Sequence, residues 1–156
     1  MPTGAATGRV AVIERALERA GISQRPVAVL DLDAFDANAA DLTSRAHGMP
    51  IRVASKSLRV RALIERALGQ PGFAGVLAYT LPEALWLASH GIDDIVVAYP
   101  TADAQAIAAL AADDHARSAI TLMVDETAHL DLILTAARGA AGPARSIRVA
   151  IELDVS

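Results

Sequence analysis

The apolar positions of this chain change their period along its length. Val10, Ile13, Leu17 and Ala20 recur at helical spacing on one face, and Gly21 supplies a stop. Beyond that helix, short unbroken runs rich in Val and Ile alternate with amphipathic stretches. The runs at 26–33, 51–56, 75–79, 95–99, 120–124 and 147–155 read as strands, and their continuous apolarity predicts parallel strands buried on both faces. The stretches at 34–47, 59–68, 81–90, 102–113 and 126–138 read as helices. Thr80 with Glu83 has the spacing of a capping box, Asp125 reads as an N-cap, and Gly48, Gly69, Gly91 and Gly139 stand where helices should stop.

From the second strand onward, strands begin at 51, 75, 95, 120 and 147, a spacing of 20–27 residues that suits βα units. Two architectures use such units, an open doubly wound sheet and a (β/α)8 barrel. The barrel needs eight strands and usually about 250 residues. The chain has 156 and closes on a full strand with nothing after it. The expected fold is therefore α/β, a partial (β/α)8 TIM-type barrel of about five strands, truncated at the C-terminus. Residues 1–8 are small and polar and are expected to be disordered, leaving 9–156 as the folded part.

Charge and composition narrow the function classes. The formal net charge is -4 with no basic cluster, so a nucleic-acid footprint is absent. Residues 73–92 are long and weakly charged, but Pro82, Glu83 and His90 break them, so no membrane span is expected. With no cysteine there is no disulfide scaffold, and a reducing, cytoplasmic setting is the default. His47, His90, His115 and His129 have no ligand spacing between them, and no metal site is expected. Of the 14 cations all but Lys56 are Arg.

In either architecture ligands bind beyond the carboxyl ends of the strands. The glycine-rich stretches 69–75 and 139–142 follow helices, and no strand is followed by a dinucleotide, P-loop or nucleophile-elbow motif. The strand ends offer Asp31 and Asp33, Lys56 with Arg59, Tyr79, Tyr99, Asp125 and Asp154. A lysine closing a buried strand is desolvated, which lowers its pKa and frees the amine to attack an aldehyde. The alternative is a solvated loop lysine that survived a coding bias toward Arg. Tyr79 and Tyr99 are candidates to face a cofactor or to pack the rim. Arg59 is a candidate for a substrate carboxylate or a solvated helix residue, and Asp154 for a cofactor contact or a structural carboxylate.

Pro26-Val-Ala-Val-Leu-Asp-Leu-Asp-Ala-Phe-Asp-Ala-Asn38 followed by Ile51-Arg-Val-Ala-Ser-Lys-Ser57 resembles the opening of the alanine-racemase-like, fold type III pyridoxal phosphate enzymes. Tyr79-Thr-Leu-Pro-Glu-Ala84, Gly91-Ile-Asp-Asp-Ile-Val-Val-Ala-Tyr-Pro100 and Ile151-Glu-Leu-Asp-Val-Ser156 continue the resemblance in order, nearest to the D-threonine aldolase and D-serine dehydratase-like branch. It implies a barrel with Lys56 at the end of its first strand, holding pyridoxal 5'-phosphate as a Schiff base. It implies that strand 26–33 lies outside the barrel, in a β-rich domain formed mainly by a missing C-terminal part, and that residues binding the phosphate and the pyridine nitrogen lie beyond Ser156. The implied function is a D-threonine aldolase or D-serine dehydratase (deaminase) acting on a small-molecule amino acid substrate, a homodimer at full length and inactive as this fragment. An alanine racemase, a non-catalytic pyridoxal phosphate homeostasis protein and an unrelated open α/β binding module are the alternatives. That branch often reads Arg-Pro-His-x-Lys-Thr-His-Lys around its lysine; Arg52-Val-Ala-Ser-Lys56-Ser-Leu-Arg59 keeps the Arg and the Lys and lacks both His and the second Lys.

Overall fold

Five strands of a computed structural model lie side by side in the order in which the chain makes them, β1 (Ile51–Ala54), β2 (Phe73–Ala78), β3 (Ile95–Val97), β4 (Ile120–Val124) and β5 (Arg148–Ile151), every neighbouring pair parallel. The structure describes residues 4–139 and 146–153. Among the described residues eight helices precede or join the strands: α1 (Gly4–Arg19), α2 (Leu32–Arg45), α3 (Ser55–Leu58), α4 (Arg61–Leu68), α5 (Leu81–Ser89), α6 (Ala104–Ala112), α7 (Asp114–Ala119) and α8 (Thr127–Gly139). An uninterrupted parallel order with helical crossovers is the arrangement of consecutive βα units of a TIM-type barrel. The chain divides into two units, Met1–Ala37 and Asn38–Ser156, and the second holds the whole sheet.

Among the described residues of the second unit, helices cover one face of the sheet. Val53, Val76, Ile95 and Ile120 share one register row, and with Ala78, Val97, Leu122 and Val124 they are buried under helices. Leu81, Leu87, Ile107, Leu110 and Ile133 complete that core from α5, α6 and α8. On the opposite face Ala54, Leu77, Val96, Thr121, Met123 and Ala150 are half-exposed. The expectation of strands buried on both faces is corrected. Both faces are apolar in sequence because the second is lined by Leu, Val, Met and Ala, and run-length alone cannot tell a helix-packed face from an open one.

Four local expectations are corrected as well. Residues 26–31 form no strand and 32–33 already belong to α2, because a strand needs a partner ladder and none among the described residues pairs with this segment. The Asp31 carboxylate instead accepts from the Ala34 N–H at 3.0 Å and caps α2. Residues 4–8, expected to be disordered, are the first turn and more of α1, where alanine favours helix; 1–3 lie outside the described residues. The strand expected at 51–56 stops at Ala54, with Ser55 and Lys56 already in α3, and the helix expected at 59–68 begins as α4 at Arg61. Arg59 ends α3 in the left-handed conformation at φ 50, and its N–H bonds the Ser55 carbonyl. Among the described residues no helix is long and apolar enough to cross a membrane.

Candidate functional site

The carboxyl ends of the strands converge on one cavity of about 310 Å³ on the open face. Each strand contributes: Ala54 from β1, Leu77 from β2, Ala98 just after β3, Met123 from β4 and Glu152 just after β5. Lys56, Tyr79 and Tyr99 complete the lining. The three residues singled out from sequence are thus brought together by the parallel order, which places every strand's carboxyl end on one rim.

Lys56 does not close β1. It sits in the single turn of α3 immediately after the strand, where its Nζ donates to the Tyr99 hydroxyl at 3.0 Å. The same ammonium stands 5.4 Å from the Tyr99 ring centre and 5.9 Å from that of Tyr79, inside cation–π range. The two rings meet edge to face at 5.7 Å. Contrary to expectation the lysine is exposed, and its pKa is raised, first by the hydrogen bond to Tyr99 and then by charge coupling to Tyr99; burial opposes this weakly. Strand position had suggested desolvation. A turn at the strand end carries the amine out to a phenol that favours its charged form instead.

Arg59 is not one turn into a helix. As the C-cap of α3 it donates through Nε to the Lys56 carbonyl at 3.1 Å and lies 5.8 Å over the Tyr79 ring. Asp154 lies outside the described residues. Glu152, two residues earlier in the same motif, lines the cavity. Sequence reading passed over Glu152, although the alternation of strand side chains puts it on the face of Ala150.

At the opposite end of the sheet Arg52 of β1 crosses Gly75 of β2 to reach Asp94, which precedes β3. Its Nη1 donates to the Asp94 carbonyl at 2.6 Å and its Nη2 to Oδ2 at 3.1 Å. β2 advances three residues, Phe73 to Val76, while β1 advances two, Ile51 to Val53, so the ladder carries a bulge here. Gly75 adopts φ 73 within it.

Asp125, Glu126 and His129 place their donor atoms within 4.8 Å of one another, a grouping that histidine spacing alone did not anticipate. Asp125 Oδ1 is 3.0 Å from His129 Nδ1, an i,i+4 pair across the start of α8 that accounts for the proximity. A second cavity, about 480 Å³, lies beyond the two tyrosines and is lined by Thr80, Pro82, Pro100, Thr101 and Asp103 with Tyr79 and Tyr99.

The family model described as alanine racemase, N-terminal domain, matches residues 30–156. Among solved structures the chain is similar to a D-threonine aldolase from Filomicrobium marinum, with a TM-score of 0.73 and 24% identity. The match covers 85% of this chain and 35% of the aldolase, so the chain spans about a third of that protein's length. No curated protein matches.

Proposed function

The chain belongs to the alanine racemase N-terminal domain family, and from that membership we propose that it carries the lysine of a pyridoxal 5'-phosphate enzyme acting on amino acids. Within that reading D-threonine aldolase or D-serine dehydratase chemistry is the best supported, because the structural likeness is to a D-threonine aldolase. The observation that carries the proposal is the placement of the chain's single lysine on the rim where all five strands end, against two tyrosines.

The residues present suit the aldehyde end of such a cofactor. A primary amine is the one side chain that condenses with an aldehyde, and arginine, which supplies every other cation here, does not. Tyr79 and Tyr99, packed edge to face, offer an aromatic wall beside the amine. When bound, the cofactor supplies an electron sink for charge developing at the substrate's α-carbon. Lys56 would hold it, and Tyr99 fixes the direction of the amine. Because Tyr99 favours the ammonium, a proton has to leave Nζ before its lone pair is available. Arg59, 5.8 Å over the Tyr79 ring, would meet a substrate carboxylate. Glu152 faces the same cavity and supplies a carboxylate that can take up or return a proton. A small-molecule amino acid as substrate and a homodimeric assembly complete the proposal.

Incubation with pyridoxal 5'-phosphate followed by borohydride and peptide mapping tests it. The adduct is expected on the Lys56 peptide and lost in Lys56→Arg. A wild-type chain without adduct, or an adduct confined to the terminal amine, overturns the proposal. Given an adduct, turnover of D-threonine, D-serine and alanine by the complete protein separates aldolase, dehydratase and racemase, and no turnover of any indicates a carrier.

A further inference from the structure

Thr80-Leu-Pro-Glu83 has the spacing of a capping box, in which the glutamate side chain returns to the N–H of the cap residue itself. Half of that box is present: the Glu83 N–H donates to Thr80 Oγ1 at 3.4 Å. The carboxylate goes elsewhere. Its Oε2 accepts from the Tyr79 N–H at 2.9 Å and from the Ser55 hydroxyl at 2.8 Å. Ser55 is fully buried, and its Oγ also lies 3.2 Å from the Tyr79 N–H.

These contacts close a ring. Ser55 precedes Lys56 on α3, Lys56 reaches the Tyr99 hydroxyl, Tyr99 meets the Tyr79 ring, and the Tyr79 backbone returns to Glu83. Capping α5 requires none of this, since the cap needs only Thr80. A buried hydroxyl must find a partner, and the one Ser55 finds is a carboxylate 28 residues away on another element. What the choice achieves is to tie the turn bearing Lys56 to the loop bearing Tyr79.

We propose that Glu83 is a positioning residue for Lys56, its carboxylate fastening the Ser55 turn to the Tyr79 backbone and so setting the lysine amine against the Tyr99 hydroxyl. The proposal rests on the reading of Lys56 as the cofactor lysine. Lys56 is faced by Tyr79 after β2, Tyr99 after β3 and Glu152 after β5, with Arg59 beside it on α3. Of these, Tyr99 has the strongest hold on its proton, so loosening the turn registers as a change in when the amine becomes reactive.

The test needs no cofactor. Acetylation of Lys56 is followed by mass spectrometry across an alkaline pH series in wild type, Glu83→Ala, Glu83→Gln and Tyr99→Phe, with the α-amino group as internal reference and circular dichroism reporting the fold. The reactivity midpoint in Glu83→Ala is expected to fall toward that of Tyr99→Phe, each unit of fall raising the rate below the midpoint tenfold. Glu83→Gln is expected to stay with wild type, because an amide oxygen accepts the same two bonds. A Glu83→Ala midpoint equal to wild type, or a Gln variant displaced as far as Ala, overturns the proposal. Should Glu83→Ala fail to fold, Ser55→Ala removes the tie at nearly constant volume, and an unmoved midpoint there overturns it equally. If the midpoint moves as expected while wild type takes no pyridoxal 5'-phosphate, the cofactor reading fails and the positioning role stands.

Discussion

Replacing Gly75 by alanine should destabilise the sheet by about 2–4 kcal/mol or more. Gly75 holds φ 73 in the bulge of β2, and a left-handed conformation costs an L-residue roughly 1–2 kcal/mol. The added Cβ would also stand in the path by which Arg52 reaches Asp94, against Arg52 Nη1 and both the carbonyl and carboxylate oxygens of Asp94. The arginine must leave, and because the Asp94 carbonyl is backbone and cannot swing aside the strands must also give way, which makes the sum a lower bound. A charged donor to a carbonyl contributes roughly 1.5–3 kcal/mol when buried. Arg52 remains about a third exposed, 34% of its side chain, and solvent screening reduces that contribution to about 1–2 kcal/mol. Urea unfolding followed by circular dichroism measures the sum, and the slope should be unchanged because the same surface is exposed. Arg52→Met removes the clamp without strain and should cost about 1–2 kcal/mol. In that background Gly75→Ala should still cost its conformational part and the contact with the Asp94 carbonyl but no longer the arginine's bonds, so the two substitutions combine less than additively. A Gly75→Ala loss below about 0.5 kcal/mol, or strict additivity with Arg52→Met, would refute the reasoning.

Tyr99→Phe removes the first cause of the raised Lys56 pKa, so the amine should become reactive at lower pH than in wild type, read by acylation kinetics. The sign follows from linkage: a raised folded-state pKa stabilises the fold below the unfolded value and ceases to do so as pH rises through the folded one, so alkaline pH is where the variants converge. Leu110→Ala, at a fully buried position of α6, should cost about 2–5 kcal/mol in the same urea assay. Asp103→Ala and Asp113→Ala remove side-chain caps bonded to the Ala106 and Ala116 N–H groups at 3.0 and 2.9 Å, and each should cost about 0.5–2 kcal/mol; a loss near zero would show that water satisfies those N–H groups equally well.

Much of this architecture is legible in the chain because hydrophobic period and helix punctuation are local signals. The runs at 95–99 and 120–124 and the stretches at 81–90 and 126–138 all mark elements that form within a residue or two. Two short helices escaped. α3 and α7 are too brief for a periodicity to develop, and α7 follows α6 directly, with Asp113 serving as the C-cap of one and the N-cap of the next. The segment 26–33 misled for the opposite reason: it has the composition of a strand, but strands are defined by their partners, and composition carries no information about a missing one.

The site divides in the same way. Lysine at a strand end, flanked by tyrosines at the ends of the next two strands, is a one-dimensional pattern, and parallel order converts it into a cluster. The sequence by itself therefore determined the class of fold, the rim on which chemistry sits and the one amine available there. Only the tertiary structure decided the state of that amine, its tie through Ser55 to Glu83, and the span of Arg52 over Gly75 to Asp94. Residue spacing sets which face a side chain takes. Whether that side chain meets solvent, a hydroxyl or a carboxylate depends on partners 28 to 43 positions away, and on loop geometry that no local period encodes.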